Sequence, residues 1–468
     1  MSFRPGAAVL VEAASAGRIA AAAAAPPSTC RLCRQPPRAS ASAFTLALPR
    51  TTKHQRRHFS SSRRRDSAWT AAVQVASNMV GNVVKQATKD ASMHVDPLRT
   101  VAKEMKHLTG NIRQLLGSGH PALDKVAKYY TQAEGKHVRP LIVLLMSRAT
   151  HLCPKDQRES TPQTLRGINS SISPVDILAD VNPSAAPLAA PDVKEAPEEG
   201  NPDILPSQRR LAEITELIHT ASLLHDDVID YSVSRRGSPS ANLEFGNKMA
   251  VLAGDFLLGR ASVALARLRN AEVVELLATV IANLVEGEFM QLKNTRNDER
   301  NPKWSEETLS YYLQKTYLKT ASLISKSCRA SALLGGADAA TVDAAYMYGR
   351  NLGLAFQLVD DMLDYTRSDK DLGKPAGADL ELGLATAPLL FAWKQMPELG
   401  ALVGRKFERE GDVLRAREIV MQSDGVEQTR ALAVDYSEKA VAAIAHFPDS
   451  EAKAGLVEMA QKVIKRQK

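Results

Sequence analysis

Two short acidic runs interrupt apolar stretches of this 468-residue sequence: Asp226-Asp227-Val228-Ile229-Asp230 and Asp360-Asp361-Met362-Leu363-Asp364. On a helix the first and fifth carboxylates of such a run lie one turn apart on a shared face, where like charges repel. A hard dication relieves that repulsion. Mg²⁺ takes one or two carboxylates and fills its remaining positions with water and phosphate oxygens. A single run of this kind is more often a solvated acidic face or helix end. Its recurrence argues instead for two helices that hold several Mg²⁺ ions around one diphosphate. Such a site needs no protein nucleophile: it stabilises the negative charge on a departing diphosphate and leaves a carbocation in a dry apolar cavity.

The flanking sequence predicts the helices that must position these groups. Leu211, Ile214, Ile218, Ala221, Leu224 and Val228 recur at three- and four-residue spacing, one apolar stripe on a helix that Ser207 is expected to cap. Similar stripes run through 248–295, 306–334 and 341–366, and Pro140 fits the first turn of a helix over Leu141 to Met146. Two-residue alternation bounded by turn signals is missing, so no sheet is expected. No run of 18 apolar residues exists, and no transmembrane helix is expected. The fold class predicted is all-α.

Charge and proline are unevenly placed. Residues 1–65 hold eleven Arg, one Lys and a single acid, Glu12, which is the composition of a mitochondrial transit peptide; a basic tail is the alternative. Arg56-Arg57-His58-Phe59-Ser60-Ser61 resembles a matrix-processing site, which places cleavage between Phe59 and Arg65. The remainder carries 48 basic against 51 acidic side chains, which disfavours a nucleic-acid binder despite the net charge of +8. Residues 66–94 read as a linker or helix, and 95–468 as one helical domain. Within it, residues 154–206 contain nine Pro and read as a disordered insertion. Cys30 and Cys33 form a lone CxxC, a weak metal or redox signal; Cys153 and Cys328 remain, too few for a disulfide framework.

Taken together with Gly135-Lys136-His137-Val138-Arg139-Pro140, Arg235-Arg236-Gly237, Gly254-Asp255, Lys319-Thr320 and Gly373-Lys374, the two DDxxD runs resemble the trans-isoprenyl diphosphate synthases over residues 95 to 465. Within that family the resemblance is strongest to mitochondrial long-chain polyprenyl synthases that make the ubiquinone tail. It implies a single-domain isoprenoid-synthase helical bundle with a large central cavity. It also implies Asp226, Asp230 and Asp360 as direct ligands of Mg²⁺, three ions per site, with Asp227, Asp361 and Asp364 supporting that shell. Lys136, Arg139, His219 and Arg236 match positions that hold isopentenyl diphosphate. Arg235, Lys319, Thr320, Gln357 and Lys374 match contacts to the allylic diphosphate, and Lys319 is counted with the aspartates in the catalytic set. By themselves Lys136, Arg139 and the Arg235-Arg236 pair would be ordinary surface charges, and His219 a structural histidine. His137 departs from the Arg or Lys of many relatives and receives no catalytic role. Glu288 and Gln291 match a polar stretch of long-chain relatives but fit an exposed face almost as well, and stay outside the catalytic set.

The implied reaction ionises an allylic diphosphate of the farnesyl or geranylgeranyl type. The isopentenyl double bond attacks the cation, and a proton is lost to the released diphosphate. Ser222 and Ala221, four and five residues before Asp226, lie about one turn away, beneath the reacting end. Where short-product relatives carry an aromatic group at this level, these small side chains leave a path for a growing chain, so a product longer than geranylgeranyl is expected; close helix packing is the plainer reading of Ala221. A class I terpene cyclase is the rival enzyme, disfavoured by the GKxxRP site for a second diphosphate. The non-catalytic subunit of a heteromeric prenyl synthase is the rival without activity, disfavoured by two intact acidic motifs. A homodimer is expected, with a heteromeric partner as the alternative, in the mitochondrial matrix with peripheral inner-membrane association.

Overall fold

The computed structural model describes residues 95–118, 120–132, 137–156, 201–235, 238–293, 302–366 and 377–466. The expected transit peptide, the 66–94 linker, and Cys30 and Cys33 lie outside the described residues. The chain forms helices α1 (Pro97–Thr100), α2 (Ala102–Leu115), α3 (Pro121–Gln132), α4 (Val138–His151) and α5 (Pro206–Ile229). A two-residue antiparallel hairpin follows, β1 (Ser234–Arg235) with β2 (Ser238–Pro239). Then come α6 (Ala241–Phe245), α7 (Asn247–Arg267), α8 (Ala271–Gln291), α9 (Glu306–Thr316), a π-helical turn (Tyr317–Ala321) and α10 (Ser322–Leu334). The long α11 (Ala339–Thr366) precedes α12 (Ala378–Glu381), α13 (Ala387–Gln395), α14 (Leu399–Gly404), α15 (Asp412–Gln422), α16 (Gly425–Ala443) and α17 (Glu451–Lys465). The fold is all-helical, as the apolar periodicity predicts, apart from the short hairpin and an isolated bridge between Lys155 and Ala337.

Local chemistry sets the helix ends, and in places differs from expectation. Ser207 does not cap α5. Pro206 occupies the first turn, Leu205 is extended at the cap, and the Leu205 N–H donates to the Gln208 Oε1 at 2.9 Å. A proline there has no N–H to leave unsatisfied, so the cap lies two residues before Ser207, at Leu205. The 248–295 stripe breaks at Arg269, which takes a left-handed φ of 54°, and Asn270, whose side chain accepts from the Val273 N–H at 3.0 Å and starts α8. The expected insertion is narrower than 154–206. Ile204 is buried, the Asn201 N–H donates to Glu104 at 2.7 Å, and Lys155 pairs with Ala337, so both margins belong to the folded body. Residues 157–200 lie outside the described residues.

α10 is the centre of the bundle and packs against α4, α5, α8 and α11. A helix enclosed on that many sides must be buried almost all round. Its buried positions, Ser322, Leu323, Ile324, Ser325, Ser327, Cys328, Ala330, Ser331 and Ala332, are mostly small. Small side chains let four neighbours approach, and the hydroxyls find partners: Ser331 with Ser147 of α4 at 2.8 Å, Ser327 with Thr215 of α5 at 3.0 Å. α7 has the length of a membrane-crossing helix, with a mean hydropathy of 1.5 over 18 residues. It packs on α5, and Ala250, Ala253, Leu257, Ala261 and Ala264 are buried, while Val251 and Leu252 are exposed.

The α10–α11 contact depends on two glycines. A Cβ at Gly353 would lie 2.6 Å from the Ala321 Cα, and one at Gly349 would lie 2.7 Å from the Ser325 Cα. Both obstacles are backbone and cannot rotate away. Gly353→Ala is therefore expected to destabilise the fold by about 1–3 kcal/mol through overpacking, read as a lower midpoint in thermal or urea unfolding.

Candidate active site

The first acidic motif forms the last turn of α5, with Asp230 as its C-cap. Its three carboxylates have different surroundings. Asp227 is fully buried and accepts hydrogen bonds from the Tyr130 hydroxyl of α3 and from Arg235, whose Nε lies at 2.9 Å and whose Nη2 binds the same oxygen. Asp226 and Asp230 are only partly buried. Burial, with the negative charges of Glu288 and Asp230, pushes the Asp226 carboxyl up to about 7 against the opposing pull of Lys319 and Arg235. Burial raises Asp230 as well, with Lys319 opposing and Glu288 adding to the shift. Positive charge is short on this side. Lys319, the nearest cation in both cases, already donates to Glu288 Oε1 and to Gln291 Oε1, each at 2.6 Å. Gly287 permits that approach of α8, since a Cβ there would lie 2.6 Å from the Lys319 Cγ.

The second motif lies in the last two turns of α11. Here Asp361 and Asp364 are buried and Asp360 is partly exposed. Asp361 accepts from the Tyr312 hydroxyl at 2.5 Å, the Gln357 Nε2 at 2.9 Å and the Ala387 N–H at 3.4 Å. Gln357 in turn accepts from the Thr320 hydroxyl at 2.9 Å. Burial raises the Asp361 carboxyl, opposed chiefly by the bonds from Tyr312 and Gln357. Lys315 is buried next to it, 5.6 Å from the Tyr312 ring centroid; burial lowers its pKa and Asp361 opposes that. Asp364 accepts from the Asp379 N–H at 3.3 Å, and its carbonyl from the Gly377 N–H at 3.2 Å, where the chain returns to the bundle. Asp360 pairs with Arg466 just beyond α17, and that guanidinium lies 4.2 Å from the Phe356 ring centroid.

α5 and α11 both pack on α10, and the π turn that opens α10 bears on the two motifs. A π turn carries one residue more than the helix around it and is frequent at functional sites. It turns Lys319 toward α8 and the first motif, and Thr320 toward α11. Lys319 acts on Asp226 and Asp230 and Lys315 on Asp361, so each acidic motif has its own lysine, the two one turn apart. Among the described residues no three His, Cys, Asp or Glu side chains converge to hold a metal unaided. Asp226 and Asp230, one turn apart and partly exposed, are a carboxylate pair of the kind a hard dication takes.

Of the other sequence-derived positions, Arg139 and His219 meet across α4 and α5, Nη1 to Nε2 at 2.8 Å. His137, with a left-handed φ of 39°, pairs with Glu216 at 3.0 Å. Arg235 is bonded to Asp227, and Gln357 and Thr320 to each other. Lys136, Arg236 and Lys374 lie outside the described residues. Ala221 is fully buried, and the Ser222 hydroxyl donates to the His219 carbonyl at 2.9 Å. His225 lies over Gly254, where a Cβ would collide with its ring, and reaches Asp255 at 3.4 Å. A small apolar pocket of about 20 Å³ lies between Arg139, Ile142, Leu352, Phe356, Met459 and Val463. Tyr130, Tyr312 and Lys315 were not anticipated, and Glu288 was set aside. Only the four-residue spacing of Lys315 and Lys319 signalled one of them; the others act on partners 49 to 97 residues away.

The chain matches the family model described as polyprenyl synthetase over residues 186–420. It is 74% identical to a probable mitochondrial hexaprenyl pyrophosphate synthase of Neurospora crassa, covering 91% of this chain and 94% of that one. It is 48% identical to the mitochondrial hexaprenyl pyrophosphate synthase of Saccharomyces cerevisiae, over 80% of this chain and 91% of that one. Among solved structures, a Caulobacter crescentus polyprenyl synthase complexed with calcium and isoprenyl diphosphate superposes with a TM-score of 0.63 at 31% identity, covering 80% of this chain and 97% of that one. Two acidic helix ends on one bundle, a family model spanning half of the chain and near-complete alignment with these relatives agree: this chain belongs to the polyprenyl synthetase family.

Proposed function

We propose that this protein is a mitochondrial all-trans long-chain polyprenyl diphosphate synthase, a prenyltransferase that adds isopentenyl diphosphate repeatedly to an allylic diphosphate primer and supplies the ubiquinone side chain. The observation that carries this reading is the division of the six motif aspartates by burial. Asp226, Asp230 and Asp360 keep access to solvent, whereas Asp227, Asp361 and Asp364 are enclosed and hydrogen-bonded. Three accessible carboxylates on two helices suit a dication and a diphosphate better than they suit a solvated face. The relatives named hexaprenyl synthases, and the Caulobacter structure with calcium and isoprenyl diphosphate, support the same substrates.

Asp226, Asp230 and Asp360 would hold Mg²⁺, three ions per site. Bound there, the metal supplies positive charge to the diphosphate oxygens as the carbon–oxygen bond breaks. Lys319 adds a fixed cation beside the first motif, already oriented by Glu288 and Gln291, so little reorganisation accompanies the charge shift. Thr320 and Gln357 present polar groups beside the second motif. Arg139 and His219, with Lys136 and Arg236, suit the dianionic group of isopentenyl diphosphate. The apolar side chains below exclude water from the allylic cation. Arg466 would have to leave Asp360 before that carboxylate could bind metal.

The chain would act in the matrix with residues 1–65 removed, as a homodimer associated peripherally with the inner membrane. Its domains would be the 66–94 linker and the helical body from residue 95, interrupted by an insertion that begins after Asp156 and ends before Asn201.

Incubation of the purified chain with farnesyl diphosphate, isopentenyl diphosphate and Mg²⁺, followed by sizing of the extracted lipids, should give prenyl chains longer than geranylgeranyl. Asp226→Ala and Asp360→Ala should each lower the rate by about 100-fold or more; elongation at the wild-type rate in either variant would sink the metal assignment. Ala221→Phe should shorten the product at this level of α5, and an unchanged length distribution would place the floor of the chain-length path on another helix.

A further inference from the structure

We infer that Tyr130 and Tyr312 are positioning residues, one for each acidic helix, and that their phenols set the rotation at which Asp226, Asp230 and Asp360 stay accessible to a cation. The inference rests on the reading of Asp226, Asp230 and Asp360 as cation ligands.

The two arrangements have the same logic but come from different parts of the chain. In each motif the second aspartate, not the first, is enclosed: Asp227 is 0% and Asp361 2% exposed. In each, one carboxylate oxygen receives the hydroxyl of a tyrosine that is itself 3% exposed. A cation accompanies each pair, Arg235 on Asp227 and Lys315 near Asp361. The tyrosines come from α3 and α9, neither of which carries an acidic motif. Tyr130 also accepts the Ala241 N–H at 2.8 Å, so the phenol ties α3, α5 and the start of α6 together. Asp361 also accepts the Ala387 N–H at 3.4 Å, which joins α9, α11 and α13.

Helical geometry converts this anchoring into aim. Successive residues are about 100° apart around the axis, so a fixed second aspartate leaves the first and fifth about 40° apart from each other. With Asp227 held in the wall, Asp226 and Asp230 share the remaining face. With Asp361 held, Asp360 is turned out, while Asp364 on the same side is enclosed where the chain returns at Gly377 and Asp379. A buried carboxylate keeps one orientation while its donors hold it. Loss of a phenol leaves Asp227 with the Arg235 guanidinium, and leaves Asp361 with a glutamine that Thr320 also engages and the longer Ala387 bond. The carboxylate that was fixed is then free to swing, and the neighbouring ligands lose their reference. Groups that orient metal ligands in this way typically affect metal affinity or activity by about 10–100-fold.

The test compares wild type with Tyr130→Phe and Tyr312→Phe, each of which keeps the ring and removes only the hydroxyl. Thermal unfolding is followed first without metal, then during Mg²⁺ titration at fixed inorganic diphosphate, where binding to the native state raises the midpoint by mass action. The expected result is a half-saturating Mg²⁺ concentration raised by about 10-fold or more in each variant. At saturating Mg²⁺, kcat should recover most of its wild-type value, because the defect lies in holding the metal. A lower metal-free midpoint with wild-type Mg²⁺ half-saturation would overturn the inference and leave the phenols a packing role. Because the tyrosines serve different helices, one variant decides the matter if the other fails to fold. Absence of any Mg²⁺-dependent stabilisation in wild type would overturn the reading of the cleft itself, and the tyrosine assignment with it.

Discussion

Six aspartates on two helix ends repel one another, and that repulsion organises the structure around them. Like charges one turn apart cost only a few tenths of a kcal/mol on a solvated helix (about 0.2–0.5). The cost grows as neighbouring protein lowers the dielectric. The fold divides the problem. Asp227, Asp361 and Asp364 are enclosed and given donors of their own, while Asp226, Asp230 and Asp360 keep access to solvent. The enclosed set is held from within by Tyr130, Arg235, Tyr312, Gln357, nearby Lys315 and backbone amides, and of the accessible set Asp360 has Arg466. Burial first, then the charges of Glu288 and Asp230, raises the Asp226 carboxyl against Lys319 and Arg235.

The bundle around these helices is arranged to hold that division. α10 is central because its side chains are small enough for four neighbours to approach, and Gly349 and Gly353 bring α11 to backbone distance. Such close contacts leave little freedom to rotate α11 about its axis. The π turn at Tyr317–Ala321 breaks the α-helical phase where one side chain must serve the first motif and the next the second. A regular helix would separate Lys319 and Thr320 by about 100°; the wider turn, with Gly287 on the facing helix, gives the lysine room beside Glu288. Arg466 adds a different feature, since the end of the chain reaches back to the one accessible aspartate of the second motif.

Much of this was legible before any coordinates. The helices around 206–229, 306–334 and 339–366 follow from three- and four-residue apolar spacing, because a stripe that must be buried leaves a periodic trace. The acidic motifs, GKxxRP, and Lys319-Thr320 were legible as a family resemblance, since each is short and local. Errors arose where a local rule competed with a neighbour. Ser207 looked like a cap, but Pro206 and Gln208 set the helix start two residues out, with Leu205 at the cap. The proline-rich segment looked continuous from 154 to 206, but Ile204 is buried and Asn201 is bonded to Glu104, contacts that composition does not register.

The sequence by itself determined an all-helical chain with two carboxylate clusters, because helical periodicity and charge density are properties of neighbouring residues. Only the tertiary structure decided which carboxylates are used up inside the protein and which stay open to a cation. That choice depends on hydroxyls and amides far along the chain: Tyr130 reaches Asp227 across 97 positions and Tyr312 reaches Asp361 across 49. Within each DDxxD the first two aspartates are adjacent and chemically identical. Their difference comes from what the rest of the bundle places beside them, and no reading of spacing along one helix contains that information.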